Sequence, residues 1–158
     1  MTTPRRPEQV VLLDTARLPI GTALKSEVHT ADTPLHLAFS CWVLDDDGRV
    51  LLTRRALSKR TWPGVWTNSF CGHPGPGESM AAALRRRAEQ ELGLKLTELR
   101  EVVPEFAYWA RDASGVVENE FCPVWTARAE SSPVPNPEEV AESLWVDPAE
   151  LLTPAARG

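Results

Sequence analysis

The chain is short of the residues from which many sites are built. Its 158 residues include three cysteines, three histidines, two methionines and one tyrosine. Cys41, Cys71 and Cys122 are odd in number, far apart and without a Cys-x-x-Cys spacing. That pattern argues against a disulfide framework or zinc knuckle and points to a reducing cytoplasm. No apolar window is long enough for a membrane span, and the opening MTTPRRPEQVVLLD carries no apolar segment of signal length, so neither membrane nor export is expected. Positive charge is in deficit as well: 17 Lys and Arg against 22 Asp and Glu give a formal net charge of -5, which argues against a nucleic-acid partner. Repeats and low-complexity tracts are absent. With 42% hydrophobic and 25% charged residues, the chain suits one globular domain over residues 1–158 with a substantial core.

What is present concentrates between Trp62 and Leu94, WPGVWTNSFCGHPGPGESMAAALRRRAEQELGL, where a thiol, a histidine and a charged helix adjoin. Met80, Leu84, Ala88 and Leu92 recur every fourth residue and form an apolar stripe that must pack on a sheet. Gly77-Glu78-Ser79 supplies the helix start and Gly93 its end. Arg87 and Glu91, four apart, are neighbours on one face. On an isolated helix they would form a solvated salt bridge; the adjacent Cys71-Gly72-His73 favours a functional pair.

The rest alternates strands and turns. Val10 to Leu13 reads as an edge strand, with Leu18 to Gly21 as a turn and His29 in an ordered loop. Leu35 to Leu44, the turn Asp45-Asp46-Asp47-Gly48 and Val50 to Arg55 read as a hairpin whose first strand His36 opens. Ala56 to Pro63 is a basic loop, and Val65 to Phe70 an extended run leading to Cys71. Leu96 to Ala110 forms one strand or two, with Pro104 as the break. After a turn at Asp112 to Gly115, Val116 to Arg128 reads as one strand that places Glu118 and Glu120 on the same face. A proline-rich loop, a last strand Val140 to Val146 and a short helix from Pro148 follow. Hairpins around one clear helix imply a mixed α/β domain rather than βαβ units.

Two carboxylates two residues apart on a strand face repel unless water or a cation separates them. With His29, His36 and His73 they make a nitrogen and oxygen donor set suited to Zn²⁺, Mn²⁺ or Fe²⁺. Local positive charge at Arg54, Arg55, Lys59 and Arg60 on an acidic protein suits a small anionic ligand.

Gly72, Glu78, Arg86 and Glu91-Leu92-Gly93-Leu94 keep the spacing of the Nudix box, which this stretch resembles. Where the box carries Arg-Glu and Glu-Glu, the chain has Arg86-Arg87 and Gln90-Glu91, a poor carboxylate cluster for activating water. HTADTPLHLAFS, TRRALSK, WPGVWTNSFCGHP and GVVENEFCPV together are similar to type I isopentenyl-diphosphate isomerases, from about Gly21 to about Asp147. The resemblance implies an α/β (α+β) Nudix-like fold, a mixed β-sheet flanked by helices with an added N-terminal β-segment. It implies a Mn²⁺ or Zn²⁺ ion held by His29, His36, His73, Glu118 and Glu120, and Mg²⁺ held by Glu91 and the substrate diphosphate. It further implies that Cys71 and Glu120 carry the proton transfers beside Tyr108, and that Lys25, Arg55, Lys59 and Arg87 hold the diphosphate. A monomer acting on a small isoprenyl diphosphate is expected. A Nudix diphosphohydrolase and a non-enzymatic diphosphate-binding module are the rivals.

Members of that family usually continue into a C-terminal helical segment bearing a tryptophan over the substrate's hydrocarbon end. This chain stops at Gly158. The expectation is near-normal binding with low turnover, unless Trp66 or Trp109 covers the site.

Overall fold

The computed structural model describes residues 7–59 and 62–152, so Arg60 and the segment after Leu152 lie outside the described residues. Two sheets share the chain. In one, β2 (Pro19–Leu24), β1 (Gln9–Leu13), β3 (His36–Leu37), β10 (Val117–Phe121) and β9 (Ala107–Arg111) lie in that order. In the other the order is β12 (Val140–Val146), β5 (Val50–Arg55), β4 (Phe39–Leu44), β11 (Val124–Ala129) and β8 (Leu96–Val103). The short β6 (Trp66–Thr67) and β7 (Phe70–Gly72) pair with β5 and β4. Each sheet is antiparallel apart from one parallel pair, β3 with β10 and β4 with β11. Among the described residues the helices are a single turn, α1 (Lys25–Val28), the long α2 (Met80–Leu92) and a 3₁₀ turn, Pro148–Leu152. No helix among the described residues is long and apolar enough to cross a membrane.

Leu35 to Leu44 and Val116 to Arg128 are each divided between the two sheets, a correction to their reading as single strands. The chain changes sheet at Ala38, whose N–H donates to Phe121 O at 2.9 Å, and at Cys122-Pro123, where proline has no N–H to extend the ladder. Pro19 to Gly21 likewise belongs to strand β2 rather than a turn: β2 is the sheet edge, where an opening proline is tolerated.

The helix follows its sequence pattern. Ser79 caps it by accepting the Ala82 N–H at 3.1 Å, and Gly93 closes it in the left-handed region at φ 58°. Leu84, Ala88 and Leu92 are fully buried, with Met80 partly buried, against Phe39, Cys41 and Val43, which alternate inward along β4. Gly72 lets α2 approach β7. A Cβ there would stand 2.6 Å from Phe39 Cζ and 2.7 Å from Arg87 Cγ. Gly72→Ala is therefore expected to lose about 1–3 kcal/mol of stability through overpacking, read by denaturant melts. An unchanged midpoint would contradict this close approach.

Candidate active site

The strand register gathers the histidines. Glu120 of β10 pairs directly with His36 of β3, and His36 with Leu12 of β1. His29 ends α1, and the following loop is tied to β10 by Val117 N–H donating to Thr30 O at 2.9 Å and by Thr33 Oγ1 donating to Val117 O at 2.5 Å. His73 follows β7, its carbonyl accepting Arg86 Nη2 at 3.1 Å. Arg86 also grips Glu78 through two 2.9 Å bonds, and Glu78 accepts the Gly75 N–H. The box residues Glu78 and Arg86 thus position the loop that carries His73.

One donor atom each from His29, His36, His73 and Glu120 lies within 4.8 Å of the others. His36 Nδ1 donates to Pro34 O at 2.9 Å, which turns its Nε2 lone pair to the cluster. His36 Nε2 and both His73 nitrogens are buried without hydrogen-bond partners, and the 3.5 Å from His73 Nε2 to Glu120 Oε2 is an ion-pair separation. Orphaned, buried imidazole nitrogens around a carboxylate are what a divalent cation would satisfy, so the residues fit one. Burial, then the neighbouring histidines, hold His29 down to about 4, and burial also lowers His36, leaving both in the neutral, ligating form at neutral pH. Burial would raise Glu120, but the three histidines more than offset it and keep the carboxyl low.

Glu118 is not drawn into that group. It sits one pleat along the same face, opposite Ala110 rather than His36, and accepts the Tyr108 hydroxyl at 2.7 Å. The same hydroxyl stands 3.2 Å from Glu120 Oε1, so a single proton links the two carboxylates. Burial, reinforced by Glu120, raises Glu118, and burial between both carboxylates pushes the Tyr108 hydroxyl far up, keeping it protonated.

Cys71, on β7, is accessible from a cavity of about 630 Å³ that Glu120, Tyr108 and Trp62 also line. Surrounding protein and the Glu120 charge push its thiol up to about 12. Its sulfur lies 3.3 Å from Asn68 Oδ1. Asn68 Nδ2 is itself committed to Ser40 Oγ, Cys41 O and Phe70 O at 2.8–3.0 Å, which fixes the amide with its oxygen toward the thiol. Trp66 and Trp109 do not line this cavity. Strand alternation points them away from their neighbours Thr67 and Tyr108, leaving them 43% and 58% exposed, whereas Trp62 does line the cavity.

Lys25, Arg55, Lys59 and Arg87 meet on the same cavity. Arg87 is buried, with Nη2 2.8 Å from Glu91 Oε1 and 3.4 Å from Glu139 Oε2, so the pair is not a solvated surface bridge. Lys59 also contacts Glu139, and Lys25 contacts Glu8 Oε2 at 3.1 Å. Burial lowers Lys25, with the Arg87 charge adding to it. Glu91 Oε2 is buried, unpartnered and on the cavity, and burial raises its carboxyl against the pull of Arg87. A bare, buried carboxylate oxygen on a cavity wall fits a hard cation. Sequence reasoning passed over Asn68, Glu8 and Glu139. The Asn-x-x-Cys spacing was a usable signal for the first; the other two meet their cations only through the fold.

A NUDIX domain model matches residues 34–158. An isopentenyl-diphosphate Delta-isomerase of Kocuria rhizophila is 67% identical over 146 residues, covering 92% of this chain and 81% of the relative. Another, from Agromyces mediolanus, is 64% identical, covering 92% and 71%. Among solved structures, DR0079 from Deinococcus radiodurans aligns with a TM-score of 0.72 at 22% identity over 96% of this chain and 90% of its own, a likeness of fold alone. In a chain two-thirds identical to such a relative, the helix keeps one box carboxylate, Glu91, and the histidine pocket stands beside a free thiol: the chain belongs to the isopentenyl-diphosphate Delta-isomerase family, built on the NUDIX domain.

Proposed function

We propose that the protein interconverts isopentenyl diphosphate and dimethylallyl diphosphate, with Cys71 and Glu120 as the proton-transfer pair. The observation that carries this reading is one cavity lined by a free thiol, Cys71, the carboxylate Glu120 and the hydroxyl of Tyr108 together with four cations, Lys25, Arg55, Lys59 and Arg87. Moving the double bond adds a proton to the terminal methylene and removes one from the carbon next to the branch, through a carbocation-like state. The directions of the two shifts support the thiol as donor and the Glu120 carboxylate as acceptor toward dimethylallyl diphosphate, with roles exchanged in reverse. Tyr108 shares its proton between Glu118 and Glu120 and so holds the acceptor in place. Trp62, Phe70 and Tyr108 line the cavity and give the cationic state aromatic faces in place of water.

His29, His36, His73 and Glu120 would hold Mn²⁺ or Zn²⁺, with Glu118 a further carboxylate on that strand face, and Glu91 would hold Mg²⁺. When bound, these ions supply positive charge beside Glu120 and neutralise the diphosphate. Lys25, Arg55, Lys59 and Arg87 bind and orient that diphosphate. The need for a free thiol at Cys71 supports a reducing, cytoplasmic setting. The diphosphohydrolase reading is disfavoured by Arg87 and Gln90, which stand where the helix would carry carboxylates.

Turnover in D₂O separates the readings. Isomerisation through an exchangeable thiol places solvent deuterium in a product methyl group. Dimethylallyl diphosphate free of deuterium would overturn the proton-transfer scheme.

A further inference from the structure

We propose that Asn68 is a positioning residue for the proton transfer: its side-chain oxygen, on an amide that cannot turn, holds the Cys71 thiol in the rotamer that faces the cavity. The inference rests on the isomerase reading of this pocket and adds to it what keeps the proton donor in place.

Strands β4 and β5 pair at Leu44 and Val50 and then splay apart. The opening is filled by β7, against Phe39, Ser40 and Cys41 of β4, and by β6, against Thr53 and Arg54 of β5. Asn68 and Ser69 cross between β6 and β7, both buried. Backbone groups left over by the splay are met by side chains. Ser69 Oγ accepts the Val43 N–H at 2.7 Å and donates to Leu51 O at 2.6 Å, and Thr53 Oγ1 shares its proton between Asn68 O and Ser69 O at 2.9 and 3.0 Å. Asn68 Nδ2 serves Cys41 O and Phe70 O in the same way, at 3.0 and 2.9 Å, besides Ser40 Oγ. Two of its three acceptors are backbone carbonyls, which cannot donate, so the NH₂ group must face them and the oxygen must face the other way.

That oxygen is the one part of the amide the scaffold does not use. It accepts Thr67 Oγ1 at 2.8 Å and stands 3.3 Å from Cys71 Sγ, one partner for each lone pair. Thr67 and Cys71 both line the cavity. A cysteine on a strand beside a cavity has three staggered χ1 positions, and a fixed acceptor selects one of them. Because a thiol is a weak donor, the contact sets the place of the sulfur without tying up its proton. Without it the sulfur spends part of its time out of reach of the alkene, and turnover falls. Diphosphate binding is spared, since Lys25, Arg55, Lys59 and Arg87 lie on other elements.

The test has two parts, both on the metal-loaded full chain. In wild type, the Raman S–H stretching band of Cys71 is isolated by subtracting the spectrum of Cys71→Ser, so that the buried Cys41 and Cys122 cancel. It is expected at the lowered frequency of a hydrogen-bonded thiol; a band at the frequency of a free thiol would overturn the inference, whether or not any variant folds. In Asn68→Ala, sites are counted by calorimetric titration with pyrophosphate and Mg²⁺, which removes the effect of misfolded protein that a purely structural role would produce. The kcat per site is expected to fall about 10- to 100-fold, the scale for a reacting group displaced by the order of an ångström, with KM kept within about twofold. An unchanged kcat per site, or a KM that rises beyond that range, also overturns it. Wild type that forms no isomer while its thiol band is lowered would fail the reading of the pocket and leave the Asn68 contact standing, so the two failures are told apart.

Discussion

Replacing Cys71 by serine is expected to cut isomerisation by about 10²–10⁴-fold, the range for a positioned proton-transfer group, while pyrophosphate binding stays within about twofold. The size follows from the chemistry of the position. A hydroxyl is a far weaker acid than a thiol, and an unactivated alkene takes a proton reluctantly. Binding is spared because the four cations sit on α1, β5, the loop after it and α2, whereas Cys71 sits on β7. The serine hydroxyl keeps the Asn68 contact, so the fold is not the variable. Turnover within threefold of wild type would remove Cys71 from the mechanism.

Stripping the divalent transition ion gives the second large effect, on stability as well as rate. A ligand that binds only the folded state at a thousandfold over its dissociation constant contributes about 4 kcal/mol, and roughly 2–4 °C of melting temperature goes with each kcal/mol at this chain length. Chelation leaves His36 Nε2 and both His73 nitrogens buried without partners. The chelated protein should melt at least several degrees lower and recover when the metal returns. It should also become acid-sensitive. His29 titrates near 4 when folded against its usual 6.5, so the unfolded chain takes up more protons between those values. Its contribution is therefore complete above about pH 6.5 and lost as pH falls through about 4. Equal melting temperatures with and without chelator, across that window, would refute the site.

Much of this was legible in the sequence where the determinants are local. The stripe Met80, Leu84, Ala88 and Leu92 with Ser79 and Gly93 specified α2 and both its ends, because capping and periodicity act within a few residues. The Asp45 to Gly48 turn specified its hairpin in the same way: Asp45 Oδ1 accepts the Asp47 and Arg49 N–H groups and Gly48 takes φ 78°. The switches at Ala38 and Pro123 were not legible, since they depend on which of two sheets each half joins, and the partners are some 80 residues apart. The site divides similarly. His29, His36, His73, Glu120 and Cys71 lie in recognisable stretches, but that Glu118 stands one pleat from the cluster depends on the β3–β10 register. That Glu139 joins Lys59 and Arg87 depends on contacts 80 and 52 residues apart. Burial of the Arg87–Glu91 pair likewise became visible only once Glu139 and the cavity wall were placed around it.

The central claim is that this cavity moves a double bond and leaves the diphosphate intact. The most direct measurement incubates the metal-loaded protein with isopentenyl diphosphate and Mg²⁺ and quantifies product isomers and released phosphate in the same sample. The account predicts dimethylallyl diphosphate accumulating toward equilibrium with no phosphate above background; phosphate released without isomer would contradict it.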